Sequence, residues 1–243
     1  MALDSDDVFI LVEEDSGAAI VSSGGISGFF LDPCGETSDV RFSGASFSRK
    51  PGFRAEDAVL EVVDSRGEIF GRYYIGRIKI LGEAFDRERR DVIVDFFGNF
   101  CDYPRAGEIW RSWASSRVES SGEWARWPVE YHEAWLHVVQ NSWFASGKWA
   151  ARYGNKRFIE IDGNLIKSKS TLYLLIGEEV NGPGGYFGSN LDALADSLSS
   201  NFGDGVISKV IWENFEKASE CLDSDFVSSL NSVFLSFGVE VEY

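Results

Sequence analysis

The amino-acid sequence predicts two domains of different fold class. Residues 1–154 are expected to form an α+β domain, which is strand-rich and ends in a Trp-rich helical segment, and residues 155–243 form a domain in which strands and helices alternate. Short alternating apolar segments fill the first hundred residues, and seven of the eight tryptophans fall between Trp110 and Trp149. Strand-like and helix-like patterns then follow each other to the C-terminus. A chain of 243 residues with 44% hydrophobic residues has room for two cores.

The N-terminal strands are predicted from short apolar runs that Gly, Ser and Asp separate. The clearest pair is a hairpin, in which AVLEVV leads through a turn at residues 64–67 into EIFGRYYIGRIKIL. In its second strand Lys79 separates Ile78 from Ile80, the period of two that is typical of a half-buried strand. The other predicted strands are VFILVEE, AAIVSS, VRFSGASF and DVIVDFF.

The Trp-rich segment is predicted to contain a helix that begins near Pro128, because proline suits the first helical turn. The helix is expected to continue through YHEAWLHVVQNSWFASGKW. Its aromatic rings have two interpretations. They could form a platform for a sugar, a base or a partner surface, or they could pack the helix against the sheet or between the domains. Aromatic residues at helical spacing usually belong to a core, which favours packing.

The most informative stretch is YFGSNLDALAD, residues 186–196. Ser189 and Asn190 are residue types that cap helices, and they stand directly before the first leucine of a helical stripe. The buried stripe of this helix is expected to consist of Leu191, Leu194 and Leu198. Asp192 and Asp196 stand four residues apart and off the stripe, although like charges at this spacing destabilise a helix by about 0.2–0.5 kcal/mol. Such a pair of exposed carboxylates indicates a surface that meets positive charge.

The stretch from Phe158 to the C-terminus resembles the barstar family, intracellular inhibitors of the ribonuclease barnase. The segment PGGYFGSNLDALADSL matches the family pattern of an aromatic pair, Gly, any residue, Asn-Leu-Asp-Ala-Leu and a further Asp. The flanking elements also agree in order: a strand at RFIEIDG, a helix from about Ser170 to Val180, the motif helix, a strand within VISKVIWENF, a helix from about Phe226 to Ser236 and a last strand at GVEVEY.

The resemblance implies an α/β domain with a small parallel sheet flanked by helices, and an activity that works by blocking. In that family the motif helix and the loop before it enter the basic active-site cleft of a ribonuclease, where carboxylates occupy the places of RNA phosphates. Asp196 corresponds to the carboxylate that enters the phosphate site. Tyr186, Asp192 and Asp196 match contact positions of the family. The complete set of predicted partner contacts is Tyr186, Phe187, Gly188, Asn190, Asp192, Ala195, Asp196, Ser200 and Phe202.

Two departures from the family pattern indicate a partner whose contact surface differs from that of barnase. The family's usual tryptophan between the motif leucine and the second aspartate is Ala195 here, which removes an aromatic anchor of the kind that often dominates an interface. The family also tends to carry a glutamate on its last helix, whereas FVSSLNSVFLSF contains no acid.

The charge of the chain favours a basic protein partner and argues against direct binding of nucleic acid. The net charge is −16, and residues 157–243 alone contain 5 basic and 14 acidic side chains. No Lys or Arg occurs from Ser170 to Ser208, a stretch with five acids. A surface of one sign accelerates association with a partner of the opposite sign. Solubility alone would also explain an acidic surface.

No pattern for catalysis, a cofactor or a metal is found. His132 and His137 lie five residues apart, which on a helix separates them by about 140° and excludes a shared metal-binding face. The glycine-rich stretches GGISG and GPGGYFG lack the lysine and the strand–helix context of a phosphate site. Asp192 and Asp196 are disfavoured as a glycosidase pair, because one exposed helix face offers no cleft. We expect no enzyme activity.

A cytoplasmic location is expected. The N-terminal MALDSDDVF lacks the basic and apolar regions of a secretory signal, and no apolar run approaches the about 20 residues that span a membrane. Cys34, Cys101 and Cys221 are an odd number of widely spaced cysteines, which predicts buried free thiols in a reducing compartment.

Together these features predict a bacterial, immunity-type inhibitor that binds and blocks a basic ribonuclease, either a toxin or an enzyme that the same cell secretes. The alternative is a non-inhibitory binding or scaffold protein that recognises its partner through the aromatic N-terminal module. The two hypotheses differ in the number of partners: one small basic nuclease for the inhibitor, a mixed set of proteins for the scaffold.

Overall fold

The computed structural model describes residues 6–31, 39–86, 89–200 and 207–243. The chain divides into two compact units, Met1–Arg117 and Val118–Tyr243. The first unit is strand-rich and the second alternates strands and helices, so the predicted fold class is confirmed. Residues 118–155, named the aromatic segment below, belong by their contacts to the second unit. The boundary predicted between residues 154 and 155 marks where a domain that folds by itself begins. The division by contacts does not test this, and the boundary stays a prediction.

The first unit is built on an eight-stranded sheet in the order β3-β4-β8-β7-β6-β1-β2-β5, with antiparallel neighbours throughout. The elements of this unit are β1 (Phe9–Glu13), β2 (Ala19–Ser23), β3 (Gly25–Ser27), β4 (Asp39–Ser43), β5 (Ser46–Phe47), β6 (Arg54–Val63), β7 (Ile69–Asp86), β8 (Arg89–Phe96) and helix α1 (Ala106–Ser115). In β4 the buried Val40 and Phe42 alternate with exposed Asp39 and Arg41, the pattern of a strand with one face in the core.

The predicted β6–β7 hairpin is confirmed, and a buried carboxylate closes its turn. Asp64 accepts hydrogen bonds from the backbone N–H groups of Arg66 at 2.9 Å and Glu68 at 3.0 Å. Burial raises the pKa of Asp64, but these bonds and the guanidinium groups of Arg117 and Arg66 outweigh it and lower the pKa to about 2. Gly67 completes the turn with φ 79°, a conformation that side chains other than glycine rarely adopt.

Helix α1 is held to the sheet by Trp110, which is fully buried. Its indole N–H donates a hydrogen bond to the Tyr73 hydroxyl at 2.7 Å. A Cβ atom at Gly71 would lie 2.8 Å from the indole ring, so a glycine is required beneath it. The sheet surface is therefore shaped to receive this one large ring.

The second unit starts with two short 3₁₀ turns, Glu123–Arg126 and Val129–Tyr131, followed by α2 (His132–Ala145). This helix is shorter at both ends than the helix predicted from Pro128 to Trp149. The remaining elements are β9 (Phe158–Asp162), a 3₁₀ turn at Gly163–Leu165, α3 (Lys169–Asn181), α4 (Leu191–Ser199), β10 (Lys209–Glu213), α5 (Phe215–Ser219), α6 (Ser224–Ser236) and β11 (Glu240–Glu242).

A small parallel sheet organises the C-terminal half of this unit, as the resemblance implied. Strand β10 lies in the centre and pairs in parallel with β9 on one side and β11 on the other. The predicted strand VISKVIWENF ends early, at Glu213, because Asn214 adopts a left-handed conformation with φ 52° and α5 begins directly after it. Helix α3 starts with a capping box, in which Ser168 and Thr171 satisfy each other's backbone N–H groups.

Most of the tryptophans are buried, which agrees with packing rather than a binding platform for these rings, although α2 contacts α3 and not a sheet among the principal contacts of the described residues. The buried tryptophans between residues 110 and 149, each no more than 5% exposed, are Trp110, Trp113, Trp124, Trp135 and Trp143. Trp149 differs, because 78% of its surface is exposed.

The two described cysteines are both free, but only one of them is buried. Cys101 lies in the core, as predicted. Cys221 is exposed, which corrects the prediction of a buried thiol at this position. Cys34 lies outside the described residues.

Candidate functional site

Helix α4 carries the motif, and a side-chain cap fixes where it begins. Asn190 has an extended backbone, with φ −155° and ψ 179°, and its side-chain oxygen accepts a hydrogen bond from the N–H of Ala193 at 2.8 Å. The cap satisfies a backbone donor that has no partner within the helix. Of the two predicted cap residues, Ser189 and Asn190, the structure uses the second.

The two faces of α4 separate apolar from charged side chains. Leu194 and Leu198 are buried as predicted, whereas Leu191 in the first turn is only half-buried. Asp192 and Asp196 are exposed on the other face, also as predicted. Neither carboxylate forms an ion pair within the described part of the chain. Their charge is therefore available to a cation from outside.

Each carboxylate acts electrostatically on a buried tyrosine. Burial raises the pKa of Tyr173, and the negative charge of Asp192 raises it further. Burial also raises the pKa of Tyr186, which the charge of Asp196 raises and a hydrogen bond with Ser189 lowers. Both phenols thus stay protonated at neutral pH and add no further negative charge near α4.

The structure divides the predicted contact residues into an exposed and a buried group. Asn190, Asp192, Asp196 and Ser200 are exposed and Ala195 is half-buried, so these five reach the surface. The buried group consists of Tyr186 at 2% exposure, Phe187 at 0% and Gly188. Phe202 lies outside the described residues. The helix, rather than the preceding loop, therefore offers the accessible surface of the motif.

Gly188 shapes the turn between the loop and α4. Its φ is 107°, and a Cβ atom at this position would lie 2.7 Å from the backbone nitrogen of Leu194. Both the backbone conformation and the lack of space require glycine. The turn brings the loop directly against the first turns of the helix.

The aromatic segment covers the motif loop. The ring of Phe144, at the end of α2, contacts the ring of Tyr186 with 5.4 Å between centroids. Further along, the Ser200 hydroxyl lies 3.1 Å from the carbonyl of Ala150 and 2.7 Å from that of Ser197, which share its one proton. The segment therefore contacts both the loop before α4 and the residue at the end of α4.

The amide of Asn181 joins the same two parts of the chain. Its Oδ1 accepts hydrogen bonds from the backbone N–H of Tyr153 at 2.7 Å and of Gly154 at 3.4 Å. Its Nδ2 donates to the carbonyl of Ala151 at 3.1 Å and to that of Tyr186 at 2.7 Å. One side chain at the C-terminus of α3 thus fixes the motif loop relative to the aromatic segment. Asn181 was not among the predicted site residues, since a single asparagine before a Gly-Pro turn carries no distinctive pattern.

Glu178 is a buried acid that the sequence analysis also did not single out. It is 7% exposed and accepts hydrogen bonds from the N–H of Gly122 at 2.7 Å and from the indole N–H of Trp124 at 3.1 Å. Burial raises the pKa of Glu178, and Glu123 adds to this, while the bonds from Gly122, Trp124 and Gly184 lower it. An acid at the end of the apolar run TLYLLIG was the available signal.

The last helix carries one acid more than predicted. Helix α6 begins at Ser224, two residues earlier than expected, and so includes Asp225 in its first turn. Asp223 caps it by accepting a hydrogen bond from the N–H of Phe226 at 2.7 Å. The departure from the family pattern thus applies to the body of this helix, residues 226–236, which contains no acid.

No metal-binding group of three or more His, Cys, Asp or Glu occurs in the described ranges. Nor do they contain a helix that is long and apolar enough to cross a membrane. The Nε2 atom of the buried His132 lies 3.0 Å from the carbonyl oxygen of Trp127, and its ring contacts that of Trp124.

A capped helix with two exposed carboxylates, in the same unit as a three-stranded parallel sheet, agrees with the fold that the resemblance implied. Residues 156–238 match the family model Barstar (barnase inhibitor). The resemblance seen in the sequence is thereby confirmed, and we name residues 156–238 the Barstar region. The N-terminal region has no match to a family model. Neither a curated protein nor a solved structure matches the chain.

Proposed function

We propose that this protein inhibits a basic ribonuclease by placing the exposed face of α4 in the active-site cleft of the enzyme. The observation that carries the proposal is the pair Asp192 and Asp196, exposed side by side on the motif helix of the Barstar region and without an ion pair among the described residues. In this proposal Asp196 occupies the phosphate site and Asp192 contacts a neighbouring cation. The protein would act in the cytoplasm, where a ribonuclease threatens the cell's own RNA.

The exposure of the motif residues supports a smaller contact surface than the sequence suggested. Asn190, Asp192, Ala195, Asp196 and Ser200 are accessible and are proposed as direct contacts. Tyr186, Phe187 and Gly188 are proposed to act from below, by holding α4 at its position.

Electrostatic attraction is proposed to set the rate of association. Residues 157–243 have 5 basic and 14 acidic side chains, a net charge of −9. Such a surface attracts a cationic protein over distances near the Debye length of about 10 Å at 0.1 M salt. We expect the association rate constant to fall as salt rises and the dissociation rate constant to change less.

Substitution of the aspartates tests the proposal directly. The hydrolysis of RNA by barnase and by a panel of small cationic ribonucleases is measured in the presence of increasing amounts of the full chain. For the enzyme that is inhibited, Asp196→Ala is expected to weaken binding by about 2–5 kcal/mol, because it leaves the cations of the phosphate site buried and unpaired. Asp192→Ala is expected to cost less, about 1–3 kcal/mol.

Glu216→Ala provides the matched control, because Glu216 is an exposed acid on α5 that lies outside the motif. It should leave the inhibition constant within about twofold. Equal inhibition by the wild type and by Asp196→Ala would refute the assignment of α4 as the inhibitory surface. Capture of many unrelated proteins, without inhibition of any ribonuclease, would instead support the scaffold alternative.

A further inference from the structure

Three exposed aromatic side chains follow one another closely in the aromatic segment. Phe144 is 44% exposed, Trp149 is 78% exposed and Tyr153 is 52% exposed. They lie within ten residues at and after the end of α2. Trp149 is the most exposed of the large apolar side chains in the described part of the chain.

The backbone that carries Trp149 is fixed on both sides. Its carbonyl accepts a hydrogen bond from the indole N–H of Trp143 at 2.7 Å, and its N–H donates to the Tyr153 hydroxyl at 3.0 Å. The rings of Trp143 and Tyr153 contact each other edge to face, 5.4 Å apart. Lys148 lies over the Trp143 ring at 4.1 Å. The neighbouring residues thus hold the main chain in place, although the indole of Trp149 itself is largely exposed.

This arrangement suits a binding anchor. An aromatic side chain on a fixed backbone loses little conformational entropy when a partner covers it. Tryptophan is also enriched among the residues that dominate the energy of protein interfaces. Packing within the fold does not account for Trp149, because most of its surface faces solvent.

The residue after Trp149 lies close to the end of α4. Ser200 follows Asp196 by four residues, one helical turn further along the same face. The Ser200 hydroxyl lies 3.1 Å from the carbonyl of Ala150, the residue after Trp149. Near the other end of α4, Phe144 contacts Tyr186. The part of the aromatic segment that carries Phe144 and Trp149 therefore contacts the chain at both ends of α4.

We propose that Trp149 is the aromatic anchor of the inhibitory surface, supplied from outside the Barstar region. It would join Asp192 and Asp196 in a single contact surface for a cationic ribonuclease, while the half-buried Ala195 on α4 offers no large ring. The partner follows from charge complementarity, because the two exposed carboxylates of α4 repel nucleic acid and attract a basic protein. This inference rests on the proposed inhibitory function.

The test compares three variants of the full chain against the ribonuclease that the wild type inhibits. Trp149→Ala is expected to raise the inhibition constant about 30-fold or more, mainly through faster dissociation. Trp149→Phe keeps an aromatic ring and should retain most of the affinity. Val129→Ala is the control. Val129 is 50% exposed and lies just before α2, whereas Trp149 lies just after it, and the helix between them is about 20 Å long. The control should change the constant less than twofold.

A second measurement follows the indole itself. Quenching of tryptophan fluorescence by acrylamide should decrease when the complex forms, and this protection should be absent in Trp149→Phe. Thermal unfolding of each variant, measured in parallel, should match the wild type, since an exposed side chain contributes little to stability.

The outcomes separate this inference from the function on which it rests. Unchanged inhibition by Trp149→Ala, with inhibition lost in Asp196→Ala, would overturn the anchor and leave the inhibitory helix standing. A wild-type chain that inhibits no ribonuclease would overturn both. Concentration-dependent dimerisation that Trp149→Ala abolishes would overturn the anchor in favour of a contact between two copies.

Discussion

Substitution of Glu178 tests how firmly the aromatic segment is attached to α3. In Glu178→Ala the indole N–H of Trp124 loses its acceptor, and at 1% exposure it cannot reach water. A buried donor without a partner costs about 1–3 kcal/mol, and the lost bond from the half-buried Gly122 adds about 0.5–1.5 kcal/mol. Removal of a carboxylate that is costly to bury offsets part of this. We expect a net loss of about 2 kcal/mol.

Glu178→Gln separates the hydrogen bonds from the charge. The amide oxygen can still accept both bonds, but the ionisation is gone. The folded protein raises the pKa of Glu178 above 4.5, so the protonated acid is favoured more in the folded than in the unfolded state. The free energy of unfolding of the wild type therefore falls as pH rises through the folded pKa. The stability of Glu178→Gln relative to the wild type should therefore increase from below pH 4.5 toward neutral pH.

The assay is urea unfolding of the full chain, followed by tryptophan fluorescence at several pH values. Glu179→Gln is the matched control, because the neighbouring Glu179 forms an ion pair with Lys156 at 2.6 Å and is 27% exposed. Its effect should stay below about 1 kcal/mol. Glu178→Ala with wild-type stability would contradict the conclusion that this carboxylate ties the aromatic segment to the Barstar region.

Three further predictions concern other parts of the chain. Because the fold lowers the pKa of Asp64 to about 2, the stabilising effect of its carboxylate is complete above pH 3.8 and is lost as pH falls toward 2. The difference in free energy of unfolding between the wild type and Asp64→Asn, measured in urea, should therefore shrink over that range. Gly188→Ala should lower the free energy of unfolding by about 1–3 kcal/mol, and by more than Gly182→Ala, which has φ 81° but no neighbour within 4 Å. Fragments 118–243 and 155–243 should both melt cooperatively, the longer one at higher temperature; a gradual melt of the shorter would refute the boundary at residues 154–155.

The sequence predicted the elements whose signals are local. Alternation located the strands around Ile78, and the cap at Asn190 located α4, because both depend on residues within one turn or one strand. The positions of Glu178 and Asn181 as links to residues 118–154 could not be predicted, since their partners lie 27 to 56 residues away. Long-range hydrogen bonds leave no periodic pattern in the sequence.

The motif loop shows where a residue-by-residue transfer from a family reaches its limit. Asp192 and Asp196 are exposed as the motif implies, because exposure on a short helix is decided by the period of the helix itself. The exposure of Tyr186 is decided by its neighbours, and here Phe144 and the backbone near Ala151 come from residues that precede the matched range 156–238. A family pattern contains no information about a segment outside it. The same segment that covers the Tyr186 ring carries the exposed ring of Trp149, one residue before the Ala150 carbonyl that lies near Ser200. The segment therefore removes one aromatic side chain from the surface and exposes another, whose neighbour in the chain lies close to the end of α4.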